Sequence, residues 1–150
     1  MHPDLEDMPF ENAKCRTDDQ LNEAAKVNTI DITVGYNGFP MGVEDTAERL
    51  GNSEIKLELI VHAEQNALIA AGSRAQGATI FVWGKPVCAR CAGSIIQAGV
   101  KRVVSIDPNS IDAESKWYKT GKFAIQMFNE AGIDVKFYTQ TRPRKNRRNN

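Results

Sequence analysis

The chain has 150 residues, 19 basic and 19 acidic side chains, 41% hydrophobic residues and three cysteines, which suits one domain with a substantial hydrophobic core. No apolar run approaches the roughly 20 residues of a membrane span, and the N-terminus lacks a signal-peptide pattern. So few cysteines imply no disulfide framework and point to a reducing, cytoplasmic setting. Charge is uneven: the last ten residues hold Arg142, Arg144, Lys145, Arg147 and Arg148 without an acid, leaving a body with 14 basic and 19 acidic residues. A polynucleotide binder is expected to show a basic body instead.

Met1 to Arg16 has no clear period and is expected to be an irregular N-terminal arm. A single domain is expected over 17–140, followed by a solvated, disordered basic tail over 141–150. Leu21 to Val27 is ambiguous. Thr17 with Gln20 fits a capping box opening a short helix, while Ala24 to Val27 fits a strand turning at Asn28-Thr29. Ile30, Ile32 and Val34 alternate with Asp31 and Thr33, which predicts a half-buried strand. Gly35-Tyr36-Asn37-Gly38-Phe39-Pro40 breaks it with loop chemistry.

His62 to Ala71 is nearly all apolar or small and ends at Gly72, which predicts a buried central helix. Ala78 to Trp83 reads as a buried strand, Cys88 to Ala98 as a helix closed by Gly99, and Arg102 to Ile106 as a further strand. Phe123, Met127, Phe128 and Ala131 recur at helical spacing before Gly132, and Ile133 to Tyr138 alternates as a last strand. Short alternation of strands and helices predicts an α/β layer fold.

The chemistry-bearing residues are His62-Ala63-Glu64 and Cys88-Ala89-Arg90-Cys91. One imidazole and two thiolates form a three-ligand zinc set that keeps a fourth position open for water. Such coordination lowers the pKa of a water from about 15.7 to around 7. Glu64, not needed as a ligand, is placed to take that water's proton and carry it to a substrate nitrogen, the H-x-E and C-x-x-C pattern of zinc deaminases. Cys88 and Cys91 at a helix start put both sulfurs on one face. Glu64 stays out of the coordination shell provided His62 lies in the turn entering its helix.

A lone histidine near a buried helix is usually a core or surface residue, and a lone C-x-x-C is often redox-active or structural. Together the two motifs favour an open catalytic site, because His2 is the only other histidine and offers no obvious fourth ligand. Cys15 reads as a free thiol rather than an extra ligand. Trp117 and Tyr118 could stack on a base or pack beneath the last helix. Lys85, Arg90, Lys116 and Lys119 are unranked candidates for a phosphate.

With these motifs the sequence resembles the cytidine deaminase superfamily, and within it the deoxycytidylate (dCMP) deaminases, from about Leu21 to Tyr138. The carriers are Gly35 to Pro40 with Gly42-Val43-Glu44-Asp45, Val61 to Ala67, Cys88 to Ala92, and Ile95 to Gly99. The resemblance implies a three-layer α/β sandwich, a mixed five-stranded sheet with helices on both faces, and makes Leu21 to Val27 the first strand of a hairpin. It gives His62, Cys88 and Cys91 the zinc-ligand role and Glu64 the proton shuttle. It implies hydrolytic deamination of dCMP to dUMP with release of ammonia. Tyr36, Asn37, Ala63 and Trp117 are the candidate substrate-binding residues, with Tyr36 and Asn37 alternatively serving a nucleotide effector.

The implied partners are a small pyrimidine nucleotide and further copies of the chain, as a dimer or hexamer, with no membrane and no polynucleotide. Rival readings are a deaminase of another nucleobase and a zinc-stabilised nucleotide-binding module without turnover. Three features depart from the pattern. Val87 separates Pro86 from Cys88, Met41 stands where relatives often carry a basic residue, and no long first helix is recognisable in Met1 to Arg16.

Overall fold

The computed structural model describes the backbone of residues 12–17 and the full residues 32–139. Its strands are β1 (Asn12–Thr17), β2 (Ile32–Tyr36), β3 (Ala78–Val82), β4 (Arg102–Ser105) and β5 (Asp134–Phe137). Its helices are α1 (Ala47–Gly51), α2 (Ser53–Leu59), α3 (Ala63–Ala71), α4 (Ala89–Gln97) and α5 (Lys116–Glu130). Strands lie in the order β2-β1-β3-β4-β5. β1 pairs antiparallel with β2 and β3, whereas β3, β4 and β5 run parallel. Parallel neighbours need a crossover, and α4 and α5 supply the two here. The expected α/β class is what the chain adopts.

The core forms where the small face of α3 meets the sheet and α4. Ala67, Ala92, Ile80, Ile95, Val103 and Phe128 are all fully buried there. Alanine on α3 gives high helix propensity and lets the helix settle close to the strands. The approach is tightest at Gly35, where a Cβ would stand 2.1 Å from the Ala63 carbonyl oxygen and 2.4 Å from the Ala67 nitrogen. Thr33 adds a hydrogen bond from Oγ1 to the Ala67 carbonyl at 3.3 Å. Glycine at 35 is therefore a packing requirement, and it fixes where the loop after β2 leaves the sheet.

Two expectations change. β1 lies inside the stretch Met1 to Arg16 that reads as an irregular arm, so the sheet begins before residue 17. Leu21 to Val27, expected as the first hairpin strand, lies outside the described residues; the strand paired with β2 is Asn12–Thr17, in register from Asn12 opposite Tyr36 to Arg16 opposite Ile32. The sequence of β1 has only Ala13 and Cys15 as apolar residues, so it carries almost no periodic signal, and its place comes from ladders on both sides. Cys15 occupies the register position between Thr33 and Ile80. α1 and α2 fall in a stretch for which the sequence analysis names no element. Both bury no residue and are set by caps: Thr46 accepts from the Arg49 N–H, and Asn52 from the N–H groups of Glu54 and Ile55. The basic tail at 141–150 also lies outside the described residues.

Replacing Gly35 by Ala is expected to destabilise the fold by about 2–3 kcal/mol, the range for overpacking, and to lower the thermal midpoint by several degrees. Gly38→Ala, where a Cβ meets nothing within 4 Å, should leave the midpoint nearly unchanged. Thermal unfolding of the two variants side by side checks the contrast.

Candidate metal centre

α3 and α4 begin beside one another, with His62 and Cys88 as their extended N-cap residues. His62 Nδ1 lies 3.2 Å from Cys91 Sγ and 3.5 Å from Cys88 Sγ. The donor atoms of the three residues all fall within 4.8 Å of one another. Zinc bonds of about 2.3 Å to sulfur and 2.0–2.1 Å to nitrogen, at tetrahedral angles, put nitrogen and sulfur about 3.5 Å apart. The cluster therefore fits a zinc ion bound through Nδ1. Among the described residues no fourth histidine, cysteine or carboxylate joins this group. The chain is still extended at His62, so Glu64 belongs to the first turn of α3, buried beside the cluster and outside it.

The two thiols are unequal. Cys88 is pulled down from 9.0 to about 4, first by the hydrogen bond from the Cys91 side chain, against its burial, with help from His62 and the Cys91 N–H. Cys91 is pushed up, first because it is the donor to Cys88, then by burial and by the charges of Glu64 and Cys88. The pair thus shares a proton that a bound cation must displace, which makes metal binding proton-releasing.

Because the cap positions are occupied by would-be ligands, other residues satisfy the helix starts. Asn37 Oδ1 accepts the Ala63 N–H at 2.7 Å. Thr120 Oγ1, on α5, accepts the Ala89 N–H at 2.9 Å. Gln65 Oε1 accepts the His62 N–H at 3.3 Å, and the Cys91 N–H points to Cys88 Sγ at 3.4 Å. The loop that carries Asn37 is itself held: Asn66 Nδ2 donates to the Tyr36 carbonyl at 2.7 Å. Gly38 and Val61 exchange backbone hydrogen bonds of 3.1 and 2.8 Å.

A cleft opens on this cluster, lined among others by Asn37, His62, Glu64, Trp83, Lys85 and Trp117. The Trp117 ring lies 6.0 Å from that of His62, with Lys85 Nζ 5.2 Å and Lys116 Nζ 5.3 Å from its centre. An adjoining cavity shares Asn37, His62, Lys85 and Trp117 and adds Lys56 and Lys116; its walls carry three lysines and no carboxylate.

Of the sequence candidates, Asn37 and Trp117 reach the cleft. Ala63 is buried and contributes its N–H to Asn37. Tyr36 is half exposed and absent from the cleft wall. Lys85 and Lys116 stand at the site, and Arg90 lines a neighbouring cleft with Cys88. Lys119 lines a separate groove on α5 with Tyr118 and Lys122, and Lys122 sits over the Tyr118 ring at 5.1 Å. Sequence reasoning missed Lys56, Trp83 and Thr120. None has a local signature, since each acts through a neighbour distant in the chain.

Cys91→Ser is expected to lose stoichiometric zinc. Thr120→Val, which keeps the shape and removes the acceptor for Ala89, should weaken zinc by about tenfold, as outer-shell changes do. Competition with a chromogenic chelator measures both.

Residues 13–106 match the family described as the cytidine and deoxycytidylate deaminase zinc-binding region. A protein named "uncharacterized deaminase in luxG 3' region" from Aliivibrio fischeri is 36% identical over 104 residues, covering 69% of each chain. The deoxycytidylate deaminase of Homo sapiens is 33% identical over 110 residues, covering 68% of this chain and 57% of that protein. The crystal structure of dCMP deaminase from the cyanophage S-TIM5 shares the fold, with a TM-score of 0.53 and 22% identity over 85% of this chain and 79% of that one. The chain thus spans little more than half of its human relative. With the match running from β1 through both helix starts to the end of β4, this chain belongs to the cytidine and deoxycytidylate deaminase family.

Proposed function

We propose that the chain is a zinc-dependent hydrolase that converts dCMP and water to dUMP and ammonia. In this reading His62, Cys88 and Cys91 hold the ion. Zinc supplies Lewis-acid chemistry there, lowering the pKa of a water from about 15.7 to near 7. Glu64 is the proton carrier: its carboxylate takes the first proton of that water and gives it to N3 of the cytosine ring as the oxygen adds to C4, then takes the second from the hydroxyl so formed and delivers it to the 4-amino group, which departs as ammonia while C4=O forms. Its burial in the first turn of α3 keeps it close to the cluster without adding a ligand. A positioned acid–base group of this kind contributes about 10²–10⁴-fold.

The observation that carries the nucleotide reading is the lysine wall. Lys56, Lys85 and Lys116 gather beside His62 and Trp117 on a cavity wall without a carboxylate, in a chain of zero formal net charge. A neutral nucleoside has no use for such a wall, whereas a phosphate does. Trp117 is assigned to the base or sugar, Asn37 to the sugar, and Lys85 and Lys116 to the phosphate. Tyr36 is left without a substrate role.

The finer architecture belongs to the same reading. Ile32, Val34, Tyr36 and Phe81 are partly exposed and lie on the sheet face opposite Gly35 and Thr33, which meet α3. That apolar outer face suits the second helical layer of a three-layer sandwich. Assembly as a homo-oligomer in the cytoplasm completes it. Among the described residues no helix is long and apolar enough to cross a membrane.

Ammonia release from dCMP, deoxycytidine, dCTP, adenosine and oligonucleotides by zinc-loaded protein tests the assignment; turnover of any other substrate ahead of dCMP rejects it. Glu64→Gln should keep zinc and lose at least about a hundredfold in kcat. Lys85→Ala and Lys116→Ala should each raise the KM for dCMP roughly tenfold, the scale of one charge-assisted hydrogen bond, and leave deoxycytidine kinetics unchanged.

A further inference from the structure

Tyr138 reaches the back of a cleft-wall residue, Trp83, from two strands away. It follows β5, while Trp83 follows β3, and β4 lies between them. At a strand spacing of about 4.8 Å the two chain positions stand about 10 Å apart. The Tyr138 N–H extends the ladder by donating to the Ser105 carbonyl at the end of β4, at 3.1 Å. Its side chain then passes over that strand end. The phenol ring lies flat on the Trp83 indole, with centres 4.7 Å apart and planes 4° from parallel. Its hydroxyl donates to the Val82 carbonyl at 2.9 Å and accepts the Gly84 N–H at 3.1 Å.

One side chain thus grips three consecutive residues where the chain leaves β3: Val82, its last residue, and Trp83 and Gly84 of the loop that follows. Gly84 turns that loop at φ +98, a conformation open chiefly to glycine. Trp83, Lys85 and Pro86 on either side of it line the cleft with His62 and Glu64. Burial pushes the phenol up to about 12, against the Gly84 hydrogen bond, so its proton remains available to Val82. Any widening of the cleft toward this loop has to displace the indole, and the stack and both hydrogen bonds oppose that displacement.

We propose that Tyr138 is a positioning residue that holds Trp83 as a fixed wall of the base site and so restricts the site to single-ring bases. This rests on the reading of the cleft as the nucleotide site. The test is equilibrium binding of dUMP and dIMP, neither of which has an amine to lose, to zinc-loaded wild-type protein, Tyr138→Phe and Tyr138→Leu. Wild type is expected to prefer dUMP. Tyr138→Phe keeps the ring and loses the hydroxyl, and should weaken dUMP about threefold; Tyr138→Leu loses both and should weaken it about tenfold.

The preference for dUMP over dIMP should narrow at least about threefold in Tyr138→Leu while zinc content stays the same, a change in selectivity that general loosening of the fold does not produce. An unchanged preference in zinc-loaded Tyr138→Leu overturns the proposal, as does wild type that binds dIMP as tightly as dUMP. Should the leucine variant fail to fold, the phenylalanine variant decides by the same ratio. Wild type that binds dUMP and releases no ammonia from dCMP rejects the proposed reaction alone, and the ratio still judges Tyr138.

Discussion

Two helices that start at the same point, with ligand candidates in their capping positions, are the constraint around which the molecule is arranged. A helix N-terminus carries partial positive charge and unpaired N–H groups. Directed at Cys88, it favours thiolate over thiol, while Cys91 keeps the proton it donates to Cys88. Yet a cap that holds a metal no longer serves fully as a cap. The first N–H of α3 therefore goes to Asn37 from the loop after β2, and the first N–H of α4 goes to Thr120 from α5. Each hydrogen bond ties a remote element to the metal cluster. The close contact of Gly35 with Ala63 and Ala67 belongs to the same arrangement, because it brings the Asn37 loop within reach of α3.

Charge follows from that donor set. Two thiolates neutralise a divalent ion, so zinc held here leaves little net charge with which to attract a phosphate. The attraction has to come from side chains outside the coordination sphere. In the proposed function Lys85 and Lys116, each about 5 Å from the Trp117 ring centre and both on the wall of the adjoining cavity, take that part. An aromatic ring within cation–π reach of two ammonium groups attracts both and so offsets part of their mutual repulsion. Trp117 thereby supports two lysines side by side while also facing His62. Met41, a departure from the resembled pattern, is fully exposed, and Lys56 on α2 stands at the cavity.

Much of this was legible in the sequence, and the exceptions have physical causes. The Ala-rich run after His62 and the spacing of Cys88 and Cys91 announced α3, α4 and their shared metal, since propensity and spacing are local properties. The proviso that His62 lie at the entry to its helix proved to hold, which separates Glu64 from the ligands. β1 escaped because its six residues include only two apolar ones, while its register is set by backbone ladders with β2 and β3. α1 and α2 escaped because they bury nothing, leaving Thr46 and Asn52 as their only marks. Ranking the lysines required the fold: Lys116 and Lys119 are three residues apart on α5, yet one lines the metal cleft and the other a separate groove.

The parallel half of the sheet explains why residues after β3 and β5 can meet at one site. Parallel strands end on the same side, and ligand sites of open α/β sheets lie beyond those carboxyl ends. Here β3 ends at Val82, β4 at Ser105 and β5 at Phe137, so the next residue of β5 is already level with the cleft. β4 is followed by a turn in which Asp107 caps Pro108–Ser110, and the chain then leads into α5, which carries Thr120 and Trp117. The metal cluster is set by helix starts on one side, and the cleft wall by strand ends on the other. The loop after Val82 joins the two sides, carrying Trp83, Lys85 and Pro86 on the cleft wall before it enters α4 at Cys88.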